Sequence, residues 1–292
     1  MSTTITGPAP VAPGGLPPAP PRRTRVPAGL AVAVAVLVLF VLAALAPGLL
    51  ATHDPLALDY PAALQPPSAA HWFGTDESGR DLYSRVVHGT SHSLAIGLGA
   101  AFVSLTAAVV LGTLAALGPR PVTGVVGWLV EVLFAFPSLL LALLLIAVVG
   151  PSALTQILAV GIGTAPGYAR MVRGQVLQAK ASPYVEAAKE LGHGRWRILH
   201  VHVLPNALRP LVAIFALCVG QSIVWASGLS FIGLGVAPPS SEWGALLDAG
   251  RTYITHAGWL TLIPGLVIVV LALAATTLGR HLQTALEKGE RP

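Results

Sequence analysis

Histidines are the residues of this chain best suited to bind a metal ion, yet their spacing in the sequence argues against it. His88 and His92 have the i, i+4 spacing of paired ligands, but no third ligand is evident beside them. His200 and His202 are two residues apart, which on a helix places them about 200° apart rather than on one face. The sequence therefore predicts no metal site.

Catalysis and nucleotide binding are not indicated either. Ser230 and His256 could be the nucleophile and base of a membrane protease, but such strings of small residues are common at helix packing surfaces. A phosphate-binding loop needs a lysine followed by serine or threonine. The lysines here are followed by alanine, glutamate and glycine. We predict no catalytic residue, no nucleotide-binding residue and no cofactor on this chain.

One carboxylate falls inside a long apolar run. Glu131 lies about six residues into that run, where a charge near the centre of a bilayer would cost roughly 2.5 to 3.5 kcal/mol. Glu131 should therefore face protein or water, and with Gln221 it is a candidate for the lining of a translocation pathway. The alternatives are pairing of Glu131 with Arg120 or a partner chain, and an interhelical hydrogen bond for Gln221.

The composition is that of a membrane protein. The candidate residues named above should therefore lie on, or between, membrane helices. The chain has 292 residues, of which 54% are hydrophobic and 10% charged, and its mean hydropathy is +0.74. We predict an all-α polytopic protein with about six transmembrane helices. The predicted spans are Ala28 to Leu50, Ser93 to Leu117, Val125 to Val149, Leu154 to Val176, Ala207 to Val236 and Trp259 to Leu278.

The distribution of lysine and arginine predicts the orientation, because cationic residues near span ends stay in the cytoplasm. With the amino terminus inside, all but Arg80, Arg85 and Arg251 of the 17 lysines and arginines are cytoplasmic. This excess explains the basic pI without nucleic acid. The resulting segments are a disordered cytoplasmic tail (1–27), a first anchor (28–50), an extracytoplasmic segment (51–92), a core (93–281) with a cytoplasmic loop (177–206), and a cytoplasmic tail (282–292).

The cytoplasmic loop reads as two short helices joined by a glycine. Ser182 can cap the first helix and Pro183 suits its first position. Gly192 can then take a left-handed conformation and end that helix. The expected apolar stripe of the first helix consists of Tyr184, Ala187, Ala188 and Leu191. That of the second helix consists of Trp196, Leu199 and Val203. Leu204-Pro205 is expected to mark the return to the bilayer.

This loop resembles the coupling loop of bacterial ABC importer permeases. The pattern is Glu186-Ala187-Ala188, three residues, Gly192, nine residues, His202, one residue, and Leu204-Pro205. The general signature has an aliphatic residue at the position of His202, and the peptide branch commonly has histidine. Further segments, Phe73-Gly74-Thr75-Asp76 and Leu229-Ser230-Phe231-Ile232-Gly233 among them, resemble the dipeptide, oligopeptide and nickel importer family over about residues 28 to 285.

The resemblance implies a non-catalytic permease of the second-subunit type in a bacterial inner membrane. It also implies that the residues of the pattern contact the ATPase. Its expected partners are membrane lipid, a second permease, one or two ATPase subunits that hold ATP and magnesium, and an extracytoplasmic substrate-binding protein, without nucleic acid. Di- or oligopeptides are the expected cargo, with nickel or another small solute as the alternative. The alternative from another class is an ion-driven secondary transporter, whose signs are paired broken helices and internal symmetry, and the sequence shows neither convincingly.

Overall fold

The computed structural model describes residues 27–288, and nearly all of the predicted amino-terminal tail lies outside this range. No β-strand occurs within residues 27–288, which confirms the all-α class. The helices are α1 Ala28–Leu45, α2 Pro47–Leu50, α3 Leu82–Leu117, α4 Arg120–Ala135, α5 Ser138–Val149, α6 Ala153–Lys180, α7 Pro183–Glu190, α8 Arg195–Arg197, α9 Leu204–Leu208, α10 Leu211–Leu229, α11 Trp243–Arg251 and α12 Trp259–Lys288. Wider helical turns join α8 to α9 (Ile198–Val203) and extend α10 (Ser230–Leu234), although Ile232 and Gly233 at the end of this extension have non-helical dihedral angles and kink the chain.

Four helical segments in the described part of the chain are long and apolar enough to cross a membrane, and a bent pair adds a fifth candidate. They are α1, α3, α10 with its extension, α12, and the pair α4–α5. The remaining predicted span is α6, which has 28 residues but includes polar residues such as Gln156 and Arg170 along its length. Helix α12 also continues beyond Leu278, so the predicted carboxyl-terminal tail is helical as far as Lys288.

The third predicted span is not continuous. Helix α4 ends at Ala135, α5 begins at Ser138, and their axes are bent by 94°. Pro137 causes the break because it has no N–H to donate and disfavours helical geometry in the residue before it. Phe136 accordingly has an extended conformation, with ψ of 136°.

The second predicted span begins earlier than the apolar run indicated. Helix α3 starts at Leu82 rather than Ser93, because the Asp81 side chain caps it and accepts a hydrogen bond from the Ser84 N–H at 2.8 Å. The predicted extracytoplasmic segment therefore contains the first three turns of α3. Its irregular part ends at Asp81.

The irregular segment before α3 is held by buried charges. The Arg80 Nε donates to Asp76 Oδ2 at 2.7 Å, and Arg85 pairs with the same carboxylate. Arg85 Nη2 also donates to the backbone oxygen of Ser240 at 3.1 Å. The segment is thereby fixed against the loop between α10 and α11.

Helix α3 is the centre of the core and packs closely on its neighbours through glycines. A Cβ atom at Gly97 would lie 2.2 Å from Ile223 Cγ1 on α10, and one at Gly161 of α6 would lie 2.7 Å from Val103 Cβ. Small residues that allow such close approach are typical of helix interfaces in membranes. The core therefore holds both α6 and α10 closely against α3, and α6 and α10 also contact each other.

Candidate coupling loop and pathway

The loop after α6 begins with a turn that differs in detail from the prediction. Pro183 occupies the first position of α7 and Ser182 precedes it, as predicted. The Ser182 hydroxyl does not cap α7, however. It donates to the Ala179 backbone oxygen at 2.6 Å, because the tight turn after α6 leaves that carbonyl within its reach.

Gly192 reverses the chain after α7 as predicted. Its φ is +77°, in the left-handed region that other residues avoid. The His193 N–H donates to the Ala188 oxygen at 3.1 Å. This hydrogen bond closes a turn of six residues, from Ala188 to His193, of the kind that often ends helices. No heavy atom outside its immediate surroundings lies within 4 Å of a Cβ built at Gly192, so its conformation, not the space around it, requires glycine.

The packed face of α7 is not the one that the sequence indicated. Val185 and Ala188 are buried and pack in one cluster with Val172 and Val176 of α6. In the predicted stripe only Ala188 is buried, whereas Tyr184, Ala187 and Leu191 are exposed. Positions three apart on α7 therefore fix the loop to α6.

The second predicted helix is longer than expected and is continuous from Arg195 to Leu208. Val203 is buried and Leu199 partly buried in the same cluster as α7, whereas Trp196 is 75% exposed. Leu204-Pro205 lies inside this helix and not at its start, and Pro210 precedes α10 instead. The return to the apolar region therefore begins later than predicted.

We call the two helical segments 183–190 and 195–208, with the turn between them, the knob. Its outward face carries apolar side chains that nothing in the described part of the chain covers. Leu191 and Trp196 are each 75% exposed, and the Trp196 ring stacks on His200 with centroids 5.8 Å apart. Glu186 is exposed in the first turn of α7, where the helix dipole favours a carboxylate. The exposed apolar side chains together with exposed charged ones suit the knob to bind another protein.

His202 lies on the inner side of the knob. Its ring stacks on that of His193, with centroids 5.9 Å apart and planes within 10°. Its backbone oxygen accepts from Asn206 Nδ2 at 2.7 Å. His202 is partly exposed, and these contacts hold it to the rest of the knob.

Gln221 lines a cavity of about 540 Å³ at the α4–α5 bend. The Tyr168 hydroxyl on α6 donates to Gln221 Oε1 on α10 at 3.0 Å across this cavity. Tyr168 was not a predicted pathway residue, although its position among small residues on α6 is a signal that sequence reasoning could have used. The cavity therefore lies between four helices, α4, α5, α6 and α10, around one polar pair.

Glu131 lies elsewhere, in a separate cavity of about 120 Å³ lined also by Arg170 and Arg173. Within residues 27–288 no ion pair joins it to Arg120. The Arg170 guanidinium lies 4.5 Å from the centroid of the Phe134 ring. Hence the structure does not bring the two predicted pathway residues, Glu131 and Gln221, together.

Comparison with known proteins shows which family has this architecture. Residues 108–288 match the family model "Binding-protein-dependent transport system inner membrane component". The chain is 40% identical to the probable D,D-dipeptide transport system permease protein DdpC of Escherichia coli (strain K12), over 82% of this chain and 80% of that protein. It is 38% identical to the di/tripeptide transport system permease protein DppC of Pseudomonas aeruginosa, over 86% and 85% of the two chains.

The fold is also that of solved transporters. A chain of the inward-facing MetNI methionine ABC transporter superposes with a TM-score of 0.57 at 19% identity, over 69% of this chain and 96% of that one. Because this family model matches more than half of the chain, and DdpC is 40% identical over 82% of it, the chain belongs to the family of inner membrane components of binding-protein-dependent transport systems.

Proposed function

We propose that this chain is a permease subunit of an ATP-driven importer of di- or oligopeptides and forms half of the translocation pathway. The observation that carries the proposal is the knob, whose inner face packs on α6 while Leu191 and Trp196 point outward uncovered. The named cargoes of the two relatives, D,D-dipeptides and di- and tripeptides, are short peptides, which supports this cargo class.

The partners follow from two features, the sequence without a phosphate-binding loop and the exposed outward face of the knob. ATP and magnesium bind on one or two ATPase subunits that dock on the outward face of the knob. A second, homologous permease supplies the other half of the pathway, and a substrate-binding protein delivers the peptide from outside. Both termini are cytoplasmic, because this orientation keeps most lysines and arginines inside.

Coupling acts through α6. Val185 and Ala188 of the knob pack on Val172 and Val176, so a displacement of the knob moves the carboxyl-terminal half of α6 as one body. Tyr168 lies one turn further along the same helix, at the cavity. Closure of the ATPases thereby shifts the balance between outward-facing and inward-facing states, provided that the ATPases contact the knob differently in the two.

The test is Trp196→Asp in the complex reconstituted in proteoliposomes. An aspartate on an exposed site leaves the fold intact but opposes an apolar contact, so we expect ATPase subunits to co-purify less and peptide uptake to fall about tenfold or more. The matched control is Leu56→Asp, since Leu56 is also exposed, at 53%, but lies in the segment before α3. Equal uptake by the two variants would refute docking at the knob.

The same proteoliposomes discriminate the energy source. Uptake should require ATP inside the vesicles with wild-type complex. Uptake driven by an ion gradient in the absence of any ATPase would instead identify a secondary transporter.

A further inference from the structure

Three residues that are far apart in the sequence meet at the start of α3. His53 follows α2, His71 lies in the irregular segment, and Asp81 is the residue that caps α3. One potential ligand atom from each of the three lies within 4.8 Å of the other two. None of them belongs to the knob or to the cavity at the α4–α5 bend.

The distances within this group fit a small cation. His71 Nδ1 lies 2.9 Å from Asp81 Oδ1, and His53 Nδ1 lies 3.8 Å from the same oxygen. Zinc binds imidazole nitrogen at about 2.0 to 2.1 Å in tetrahedral sites, which places neighbouring donor atoms about 3.3 Å apart. The two observed separations bracket that value, and all three potential ligand atoms lie within 4.8 Å of one another. A bound ion would take the place of the hydrogen bond between His71 Nδ1 and Asp81 and draw the two imidazoles towards each other.

The surroundings hold the three side chains in place. Asp81 Oδ2 accepts from the Ser84 N–H at 2.8 Å, which leaves Oδ1 directed at the histidines. The Ser84 hydroxyl oxygen accepts from the His53 N–H at 3.0 Å and thereby fixes the backbone of His53 beside α3. Supporting hydrogen bonds of this kind orient metal ligands and tune their affinity.

The two imidazoles themselves are adjacent. Their ring centroids lie 4.8 Å apart, and the His53 side chain is 42% exposed whereas that of Asp81 is 1% exposed. A cation can therefore enter past His53 and reach a buried carboxylate. Two imidazole nitrogens and one carboxylate oxygen are a ligand set that suits zinc and leaves one coordination position open.

We propose that His53, His71 and Asp81 form a binding site for a divalent transition-metal ion, with zinc as the best fit. The bound ion would join the segment before α3 to the first turn of that helix, on the side that the arginine and lysine distribution predicts to be external. The spacing of histidines in the sequence does not reveal this group, because its three members are far apart along the chain. His88, one of the histidines with paired spacing, instead has its Nδ1 2.9 Å from the Ser84 backbone oxygen.

The experiment uses the purified full-length protein without a polyhistidine tag. Bound zinc is measured by equilibrium dialysis, and bound cobalt by its visible absorption, which reports tetrahedral coordination. We compare wild type with His53→Ala and His71→Ala, and with His256→Ala as the control. His256 is an exposed histidine outside the group, next to Thr255. Asp81 is not substituted because it caps α3.

We expect one zinc ion per wild-type chain and a loss of affinity of more than about tenfold in each of the two ligand variants, since even the loss of a supporting group costs 10-fold or more. The control should bind zinc as the wild type does. Absence of zinc from the wild type, or equal binding by His53→Ala, would overturn the proposal. The His53 variant decides if His71→Ala fails to fold, because the His53 side chain is the more exposed of the two.

Discussion

Substitutions of Gly192 test whether the left-handed turn of the knob is needed, because they change its backbone conformation without adding a steric clash. Its φ of +77° costs a residue with a Cβ about 1 to 2 kcal/mol, and nothing lies near enough to add a clash. By that free energy, Gly192→Ala should lower the population of the native turn about 5- to 30-fold relative to other conformations. Gly192→Asn should cost less, because asparagine tolerates the left-handed region, and Gly192→Val should cost most.

Gly194 provides the control on the same turn. It precedes α8 with φ of −65°, which any residue adopts, and a Cβ there also meets nothing within 4 Å. The assay is ATP-dependent peptide uptake by the reconstituted complex, normalised to the amount of assembled complex. We expect uptake to decrease in the order Gly192→Asn, Gly192→Ala, Gly192→Val, with Gly194→Ala unchanged. Equal uptake by Gly192→Val and Gly194→Val would refute the argument that the left-handed turn positions the knob.

Two other substitutions test buried and cavity-lining polar groups. Burial raises the pKa of Glu242 above its ordinary value of 4.5, so its contribution to stability is complete below pH 4.5 and is lost as the pH rises through the raised pKa. Glu242→Gln should remove that part of the pH dependence of Tm measured by differential scanning fluorimetry, and an unchanged dependence would contradict the reasoning. Tyr168→Phe removes the hydrogen bond to Gln221 and should lower stability by only about 0.5 to 1.5 kcal/mol. If Tyr168 lines the pathway, peptide uptake should change more than that loss explains, and unchanged uptake would argue against it.

Hydropathy predicted the apolar helices well because burial in lipid demands long runs of apolar residues, and such runs are visible without any knowledge of packing. The residues at which the helices begin and end were predicted less well. Helix α3 begins at Leu82 because Asp81 caps it, and capping depends on a local hydrogen bond that hydropathy does not sense. The bend at Pro137 is a case in which a proline inside an apolar run outweighed the continuity of that run.

The knob illustrates a different limit. The reversal at Gly192 could be predicted because few other residues adopt its conformation. The inner face of α7 could not, since Val185, Ala188 and Leu191 are all apolar and an eight-residue helix is too short for its period to choose between them. Packing against α6 selected the face. The group of His53, His71 and Asp81 is likewise invisible to spacing, because only the folded segment before α3 brings it together.

The bend between α4 and α5 has a consequence for water. The two helices have 16 and 12 residues, about 24 and 18 Å of helix, so neither alone crosses a hydrocarbon layer of about 30 Å. The Leu133 carbonyl has no helical donor, since the residue four positions on is Pro137. Leu133 and Pro137 both line the cavity that contains Gln221. Backbone polar groups at membrane depth need a partner, so the bend requires a hydrogen-bond donor from outside the helix pair, and this cavity has room for water to supply one.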